Sequence, residues 1–297
     1  MGTAVPIFIP PSCSYRNAMT APVSVIIPTY NRCELLPRAI DSVLAQSLPA
    51  REICVVDDGS SDDTRQLMAS RYPEIDYIYQ DNRGVSAARN LGVMNSAAPW
   101  LAFLDSDDAW LAHKLETQMA AIEAAPGAEL VHCDEIWMRR GRRVNAVARY
   151  RKRGGDIFSQ CLQLCAMAPS AVLLRRSRFD QLGGFDETLP ACEDYDLWLR
   201  YCSRDEVVYI DEPLLTRYAG HADQLSMRHW GMDRFRVQAL AKLLAAGHLD
   251  DQQRAQTQRT LREKCAVLIN GARKRGNQEL IATCETLLDK AGVDFAS

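Results

Sequence analysis

Three groups of acidic residues lie at the ends of short apolar runs, where carboxylates can take part in binding or catalysis. Asp57-Asp58 follows the run at 53–56, the Asp-Ser-Asp-Asp string at 105–108 follows 100–104, and Glu193-Asp194 leads into an apolar stretch. Apolar runs of this length predict buried strands, and the carboxyl ends of parallel strands line the crevice where α/β proteins bind ligands. Carboxylates crowded there repel one another and lose hydration, so we expect a divalent cation carrying a phosphate to offset their charge.

The segment Pro28-Thr29-Tyr30-Asn31 stands where the first predicted strand turns into a helix. Such a turn presents unpaired backbone N–H groups to an anion, and the ring of Tyr30 could stack on a base. Thr29 and Asn31 could equally do no more than cap the helix. The sequence leaves both interpretations open.

Two arginines, Arg83 and Arg89, lie before and within a predicted helix, with Gly84 between them. The planar guanidinium matches the geometry of a phosphate, and a glycine lets the backbone approach a ligand closely. A surface helix with ordinary arginines would show the same pattern.

The acidic string at 105–108 allows two carboxylates on a tight turn to converge on one hard cation, which would neutralise a leaving diphosphate. An Asx turn that caps the next helix would have the same composition. Glu193-Asp194 is open to two interpretations as well, because a carboxylate there could serve as general base or as a helix cap.

Strands and helices alternate with short connections up to residue 108, which predicts a parallel, doubly wound sheet. Beyond it the pattern loosens, and from about residue 232 it is helical with breaks at glycines. The predicted strands are 23–28, 52–56, 75–79, 100–104, 129–133, 171–175 and 207–210, and the predicted helices before 232 are 31–46, 64–71, 86–96, 112–125, 156–164, 177–182 and 195–202.

The composition limits the class of protein. The 297 residues are 47% hydrophobic with a net charge of −3, which gives no support for nucleic acid as a bulk partner. No apolar stretch approaches the roughly 18 residues of a membrane span. The ten cysteines are scattered without a CxxC pair, as expected of small buried side chains in a reducing cytosol. We expect a disordered leader at 1–21, and Met19 could be the true start.

A basic stretch follows Trp137 and contains seven arginines and one lysine up to Arg153, with no acid among them. We predict a hairpin that turns at Gly141, or a mobile loop. It could hold an anionic acceptor such as a lipid diphosphate, or touch anionic lipid at roughly 1 kcal/mol per residue. A solvated hairpin would have the same composition.

In combination these segments resemble the family 2 glycosyltransferases, over about residues 22–226 and with six motifs in matching order and spacing. The resemblance implies an α/β GT-A fold, Rossmann-like, in which a mostly parallel central sheet is flanked by helices, with a C-terminal helical extension. It also implies inverting transfer of a sugar from a nucleotide-diphospho sugar. The motifs are 25–31, 55–60, 84–90, 103–108, 183–186 and 193–194.

The same resemblance implies roles for individual residues. Asp194 would be the general base that takes the proton of an acceptor hydroxyl, with Glu193 in support. Asp107 and Asp108, with His221, would hold Mn²⁺ or Mg²⁺, although a lone histidine could also be structural. The nucleotide-binding residues it implies are Pro28, Thr29, Tyr30, Asn31, Asp58, Arg83, Arg89, Asp105 and Ser106.

Partners and domains follow as expectations. A UDP-sugar is the favoured donor, the acceptor is a glycan or a lipid-linked molecule, and the setting is bacterial surface-polysaccharide or glycolipid assembly. We expect a GT-A domain at 22–226, with a nucleotide-sugar half at 22–110 and an acceptor half at 111–226. A helical extension at 227–297 could cover the core, pair two subunits or lie on a membrane. The expected location is the cytoplasm, with possible peripheral contact at the inner face of the membrane. The alternatives are a nucleotidyltransferase-like enzyme and a non-catalytic nucleotide-sugar-binding module.

Overall fold

The computed structural model describes residues 20–144, 151–220 and 231–293. The chain divides into two compact units that interleave along the sequence. All described strands belong to the first unit, and the described elements of the second are helices. The sequence-based division at residue 226 stays a prediction. The first unit comprises 1–155, 167–187 and 207–220, and the second comprises 156–166, 188–206 and 221–297.

The described strands of the first unit join one sheet, and the long apolar runs of the sequence supply its central members. The strands are β1 (Ala21–Thr29), β2 (Ala50–Asp57), β3 (Asp76–Tyr79), β4 (Trp100–Phe103), β5 (Ala109–Trp110), β6 (Leu130–Arg139), β7 (Arg142–Val144), β8 (Val172–Arg175) and β9 (Val208–Ala219).

The sheet has the order β3-β2-β1-β4-β8-β6-β9-β5, with β7 paired to β6. The first four strands of this order are parallel, as the sequence predicts. Beyond β4 the sheet becomes mixed, because β8 runs antiparallel to both β4 and β6. β6 and β9 are parallel, and β5 is antiparallel to β9. The α/β GT-A expectation is therefore confirmed, with a mixed central sheet.

Helices cover both faces of the parallel part of the sheet. Alternate residues of β1 point to opposite faces, so Val25 joins one apolar core while Ile26 faces the other side. A Cβ atom at Gly92 would lie 2.6 Å from Cγ2 of Ile26, so glycine is needed for this close approach. The helices of the first unit are α1 (Leu36–Leu44), α2 (Thr64–Arg71), α3 (Val85–Met94), α4 (Lys114–Ala124) and α6 (Arg176–Gln181).

The second unit contains two paired amphipathic helices near its C-terminal end. Leu261 and Cys265 are buried on one helix, and Cys284 and Leu288 on the next. None of the described helices is long and apolar enough to span a bilayer. The helices of this unit are α5 (Phe158–Gln163), α7 (Glu193–Cys202), α8 (Asp233–Ala245), α9 (Asp251–Arg275) and α10 (Gln278–Lys290).

Several element predictions were wrong in their bounds, including the strand predicted at 129–133, which continues to Arg139. The helix predicted from residue 31 begins at Leu36, after turns at 33–35. The strand predicted to end at residue 210 continues to Ala219, because it pairs with β6 across two register shifts around Asp134. Such irregular pairing interrupts the alternation of apolar and polar residues on which strand prediction depends.

Candidate functional site

The carboxyl ends of β1, β2 and β4 lie side by side at one edge of the sheet. Thr29 is in register with Asp57, and Phe103 is in register with Ile26. The chain leaves β1 towards β2 on one side, while β4 lies on the other. The direction of winding therefore changes at β1 and β4, and a crevice at such a point is where open α/β sheets bind ligands.

The end of β1 supplies four of the predicted site residues. Pro28 and Thr29 are buried, and the Thr29 hydroxyl makes no hydrogen bond within the described part of the chain. Tyr30 is half-buried. Asn31 has a left-handed backbone with φ of 51°. The predicted role of Asn31 as a cap of α1 is wrong, because that helix begins only at Leu36.

Asn31 instead fastens the loop after β1 to the loop after β2. Its N–H donates to Oγ of Ser60 at 2.8 Å, and its Oδ1 accepts from the N–H of Ser61 at 2.8 Å. In the same loop, Asp57 accepts from the N–H of Ser60 at 2.8 Å and from the hydroxyl of Tyr77 at 2.6 Å. These bonds fix the sheet edge around β1 and β2.

Asp58 is buried and holds the segment that precedes α3. Its Oδ1 accepts from Nε2 of Gln80 at 2.6 Å and from the N–H of Arg83 at 2.8 Å, and its Oδ2 accepts from the N–H of Gly84 at 2.8 Å. A carboxylate offers about four lone-pair positions, so one further donor can be accommodated. Gly84 has φ of 91°, a conformation that favours glycine.

The first turn of α3 adds a polar group that sequence reasoning missed. Ser86 is 3% exposed, and its Oγ makes no hydrogen bond among the described residues. Arg89, one turn further on, is equally buried and points to the end of β4. The guanidinium of Arg83 lies at the surface and pairs with Glu187 at 2.9 Å, so only the backbone of Arg83 joins the Asp58 network.

The acidic turn, residues 105–108, pairs two of its carboxylates with arginines from other elements. Asp105 meets Nη2 of Arg89 at 2.7 Å, and Asp107 meets Nη1 of Arg32 at 2.7 Å. Arg38 donates to the carbonyl of Asp107 at 2.5 Å. The two ion pairs are largely removed from water, since the Arg32, Arg89 and Asp107 side chains are each less than a fifth exposed.

Asp108 and Ser106 form the buried side of this turn. Asp108 accepts from Oγ of Ser170 at 2.8 Å and from the N–H of Tyr218 at 3.2 Å, and Nε of Arg217 lies 3.8 Å away. Ser106 is 4% exposed. Strand β9 therefore reaches the turn through Arg217 and Tyr218.

Two carboxyl groups of the acidic turn have pKa values that are shifted in opposite directions. Burial, together with the charges of Asp105 and Asp107, raises the pKa of Asp108 to about 8 against the opposing effect of Arg217. Burial would also raise the pKa of Asp105, but Arg89, and then Arg217 and Arg32, outweigh it and lower that pKa. A cation brought to this turn would relieve the repulsion among its carboxylates.

The chemistry of the turn suits a hard cation, because carboxylate oxygens are the ligands that Mg²⁺ and Mn²⁺ prefer. Within the described residues, no three Asp, Glu, His or Cys side chains are arranged to hold one ion. The carboxylates of Asp105 and Asp107 face arginines instead. His221, the third predicted ligand, lies outside the described residues.

The acids of the turn and Arg89 could be identified from the sequence, but three further groups that contact these acids could not. Arg32, Ser170 and Arg217 come from three separate segments, and none stands in a pattern that links it to residues 105–108. Arg217 lies on the part of β9 beyond the predicted end of that strand. Only the sheet topology brings these side chains together.

The second unit holds Glu193 and Asp194 in the first turn of α7. Neither residue is the cap of this helix, because the cap position is occupied by Cys192, in a left-handed conformation with φ of 62°. Oδ1 of Asp194 accepts from the N–H of Tyr195 at 2.7 Å, and its Oδ2 accepts from the thiol of Cys165 at 3.0 Å. Burial and the charge of Asp194 raise the pKa of Cys165, so this thiol stays protonated.

Comparison with known proteins places the chain in a family. The protein-family model described as "Glycosyl transferase family 2" matches residues 24–183. An uncharacterized glycosyltransferase of Rickettsia prowazekii is 32% identical over 214 residues, which cover 70% of this chain and 67% of the relative. The chain belongs to glycosyltransferase family 2, as the resemblance of its motifs implies.

Two further comparisons give context. The putative teichuronic acid biosynthesis glycosyltransferase TuaG of Bacillus subtilis is 41% identical over 102 residues, 33% of this chain and 40% of TuaG. The crystal structure of S. aureus TarS 1-349 in complex with UDP-GlcNAc is similar in fold, with 15% identity, a TM-score of 0.65 and coverage of 89% of this chain and 90% of that one. Some rickettsial relatives are much longer, and this chain spans 35% of the one from Rickettsia felis.

Proposed function

We propose that the protein transfers a sugar, with inversion, from a nucleotide-diphospho sugar to an acceptor hydroxyl, with UDP as the favoured nucleotide. The observation that carries this proposal is the acidic turn, in which Asp105 pairs with Arg89 and Asp107 with Arg32. Carboxylates and guanidiniums interleaved at a sheet edge provide ligands for a cation and for a diphosphate at one place. The likeness of fold to TarS, which was crystallised with UDP-GlcNAc, supports a uridine donor.

The proposed nucleotide site follows the ends of β1 and β2 and the start of α3. Thr29 and Tyr30 line the base, with Pro28 and Asn31 shaping the loop, and Asp58 accepts one hydrogen bond from the base in addition to those that hold Gly84. The unpartnered hydroxyls of Thr29 and Ser86 fit this assignment, since a bound nucleotide would supply hydrogen-bonding partners. Arg83, Arg89, Asp105 and Ser106 complete the predicted set on the ribose and diphosphate side.

Asp107 and Asp108, with His221, are the proposed holders of Mn²⁺ or Mg²⁺. Bound there, such an ion would neutralise charge on the departing diphosphate. Arg89 and Arg32 add positive charge at the same edge, and their burial strengthens the interaction with a phosphate.

Asp194 is the proposed general base, which would remove the proton from the attacking hydroxyl, with Glu193 in support. This role rests on the family pattern and on the surroundings of Asp194 in the second unit. The thiol of Cys165 donates to one of its oxygens at 3.0 Å and stays protonated, so a neutral donor orients the carboxylate.

The likeness to TuaG supports, as a proposal, a setting in surface-polysaccharide assembly, with a glycan or lipid-linked acceptor. Peripheral membrane contact and pairing of subunits through α9 and α10 also remain proposals, as does the division of the chain at residues 110 and 226. Membership in the family weighs against the nucleotidyltransferase alternative.

The first test is a binding titration of UDP, dTDP, GDP and CMP, each with and without Mn²⁺. We expect UDP to bind most tightly and only in the presence of Mn²⁺, and we expect this binding to be lost in Asp107→Ala. The exposed acid of the neighbouring loop provides the control, so Asp63→Ala should bind as the unaltered protein does. Failure of all four nucleotides to bind folded protein would contradict the proposal.

A further inference from the structure

The hairpin formed by β6 and β7 rises from the edge of the sheet that carries the acidic turn. β8 is antiparallel to both β4 and β6, so β4 and β6 point the same way. The last residue of β6, Arg139, therefore lies at the edge where β4 ends. The predicted turn at Gly141 is confirmed, and with it the hairpin interpretation of this segment.

The tip of this hairpin carries four exposed arginines, which we name the arginine tip: Arg139, Arg140, Arg142 and Arg143. Within the described part of the chain, no carboxylate pairs with any of them. Arg139 stands directly opposite Arg142 in the strand register. Like charges at opposed positions destabilise a hairpin, by roughly 0.2–1 kcal/mol per pair.

The turn itself adds a second unfavourable feature. Arg140 and Gly141 are its two central residues, with φ of 50° and 73°. A two-residue turn with positive φ at both positions favours Asn, Asp or Gly at the first, because a larger side chain in the left-handed region costs roughly 1–2 kcal/mol. Arg140 and the like-charge pair beside it therefore both lower the stability of the hairpin. Stability does not explain why arginines occupy these positions.

The base of the hairpin differs from its tip, because its charges are buried and balanced. The carboxylate of Glu135 is 4% exposed and lies 3.0 Å from Nζ of Lys152 and 3.5 Å from Nη1 of Arg217. Arg217 also lies 3.8 Å from Asp108 of the acidic turn. Trp137 is in register with Arg217, and Arg139 follows two residues later, so the tip begins about 7 Å further along the strand.

We propose that the arginine tip binds the phosphate groups of an anionic acceptor and brings the acceptor to the active-site edge. Guanidinium groups match the oxygens of a phosphate in pairs, and several on one tip suit a diphosphate. The short path through Arg217 to Asp108 favours a substrate over a membrane surface, since a membrane contact has no need to adjoin the reacting groups. This proposal rests on the proposed function, because it names the class of acceptor.

The experiment measures binding of octyl diphosphate, with octyl glucoside as the uncharged probe, to protein saturated with UDP and Mn²⁺ so that the donor site is filled. The test variant carries Gln at the four positions of the arginine tip. The control variant loses the same amount of positive charge elsewhere on the exposed surface, through Arg51→Gln, Arg259→Gln, Arg273→Gln and Lys274→Gln.

We expect octyl diphosphate to bind the test variant at least about tenfold more weakly than the unaltered and control proteins, with the difference shrinking as salt is raised. Octyl glucoside should bind all three alike. The midpoint of unfolding of the test variant should not fall, because the substitution removes a like-charge pair. Equal binding of octyl diphosphate to both variants would overturn the proposal.

Two further measurements separate the possible failures. UDP affinity tests the proposed function independently of the tip, and it should be the same for both variants. Sedimentation with vesicles of phosphatidylcholine and phosphatidylglycerol in equal parts tests the membrane alternative. Loss of vesicle binding in the test variant, with octyl diphosphate binding retained, would overturn the acceptor assignment and replace it with a membrane contact.

Discussion

The loops that follow β2 and β4 both begin with aspartates, yet they balance these charges in opposite ways. Asp57 and Asp58 accept hydrogen bonds from backbone N–H groups, the hydroxyl of Tyr77 and the amide of Gln80. Asp105 and Asp107 meet the guanidinium groups of Arg89 and Arg32. Neutral donors hold the two carboxylates of the first loop, and cations hold those of Asp105 and Asp107 in the second.

This difference separates a rigid support from an arrangement that can change partners. Backbone N–H groups cannot leave Asp58 without unfolding the segment at 80–84, so that carboxylate fixes the loop. An arginine can turn from a carboxylate to a phosphate, because both acceptors fit its planar fork. The loop after β4 therefore has the properties expected of the reacting centre, and the loop after β2 those of its frame.

The largest expected effect comes from removing the charge of Asp107, which pairs with Arg32 in the acidic turn. Asp107→Asn should lower the release of UDP from the UDP-sugar donor of the proposed function by about 10²–10³-fold, because a ligand for positive charge at the leaving diphosphate is lost. The free energy of unfolding should fall as well, because Arg32 would lose the carboxylate with which it forms a largely buried ion pair. Initial rates at saturating donor measure the effect, with Asp63→Asn as the control. A rate within a factor of a few of the control would show that the loop after β4 is not the reacting centre.

Asp58→Asn should act on stability instead. An amide oxygen can replace one carboxylate oxygen, but the NH₂ group of the asparagine would face the N–H of Gly84 or Arg83 and leave that partly buried donor unpaired. We expect the free energy of unfolding to fall by about 1–3 kcal/mol. Urea denaturation measures the change, and Asp63→Asn is again the matched control. An unchanged midpoint would mean that neutral donors do not support this loop.

Arg89 sharpens the comparison through charge and shape. Arg89→Lys keeps the charge but loses the planar fork, so affinity for UDP should fall by about tenfold, and Arg89→Gln should lower it further. Calorimetric titration of both variants separates charge from geometry. Equal affinities for the Lys and Gln variants would show that the fork matters more than the charge, and an unaltered affinity in both would remove Arg89 from the site.

The smallest effect concerns Asp62, which accepts hydrogen bonds from the N–H of Cys33 at 3.0 Å and the hydroxyl of Thr64 at 2.6 Å. Burial would raise its pKa, but these bonds lower it below the ordinary value of 3.8. The stability it contributes is therefore present above that value and lost as the pH falls through the lowered pKa. Asp62→Asn should cost about 1 kcal/mol near neutral pH, and the difference from the unaltered protein should close in acid. A difference that stays constant down to strongly acidic pH would contradict the assignment.

Much of the fold could be predicted because its central strands are apolar without interruption. The runs at 53–56 and 100–104 appear in β2 and β4, and the predicted helix at 64–71 has the observed bounds of α2. β5 was missed because two residues carry no periodicity, and it exists only through pairing with Thr216 and Leu215. The local pattern of apolar residues predicts strands and helices that bury many apolar side chains of their own. It fails for an element such as β5, which is defined by pairing with a strand far away in the sequence.

The same limit applied to the candidate site. Acidic residues stand out in a sequence because several occur together at the end of a strand. Their counterparts Arg32 and Arg217 are single residues far away along the chain, and only the mixed half of the sheet brings Arg217 to Asp108. Ser86 was likewise invisible, because a serine in a first helical turn is common and its unpartnered hydroxyl is a property of packing.

The acidic turn lies between two strands whose other partners are made much later. β4 pairs on one side with residues 173–175, and β5 pairs with residues 215 and 216. Contacts between residues so far apart in the sequence form slowly, because closing a long loop loses conformational entropy before the pairing of the strands stabilises it. During synthesis, the loops after β1 and β2 can therefore form well before the turn acquires its shape. We expect pulse-labelled amide hydrogens at 105–108 to become protected after those of β1 and β2, so that a nascent chain lacks its reacting centre until β9 is in place.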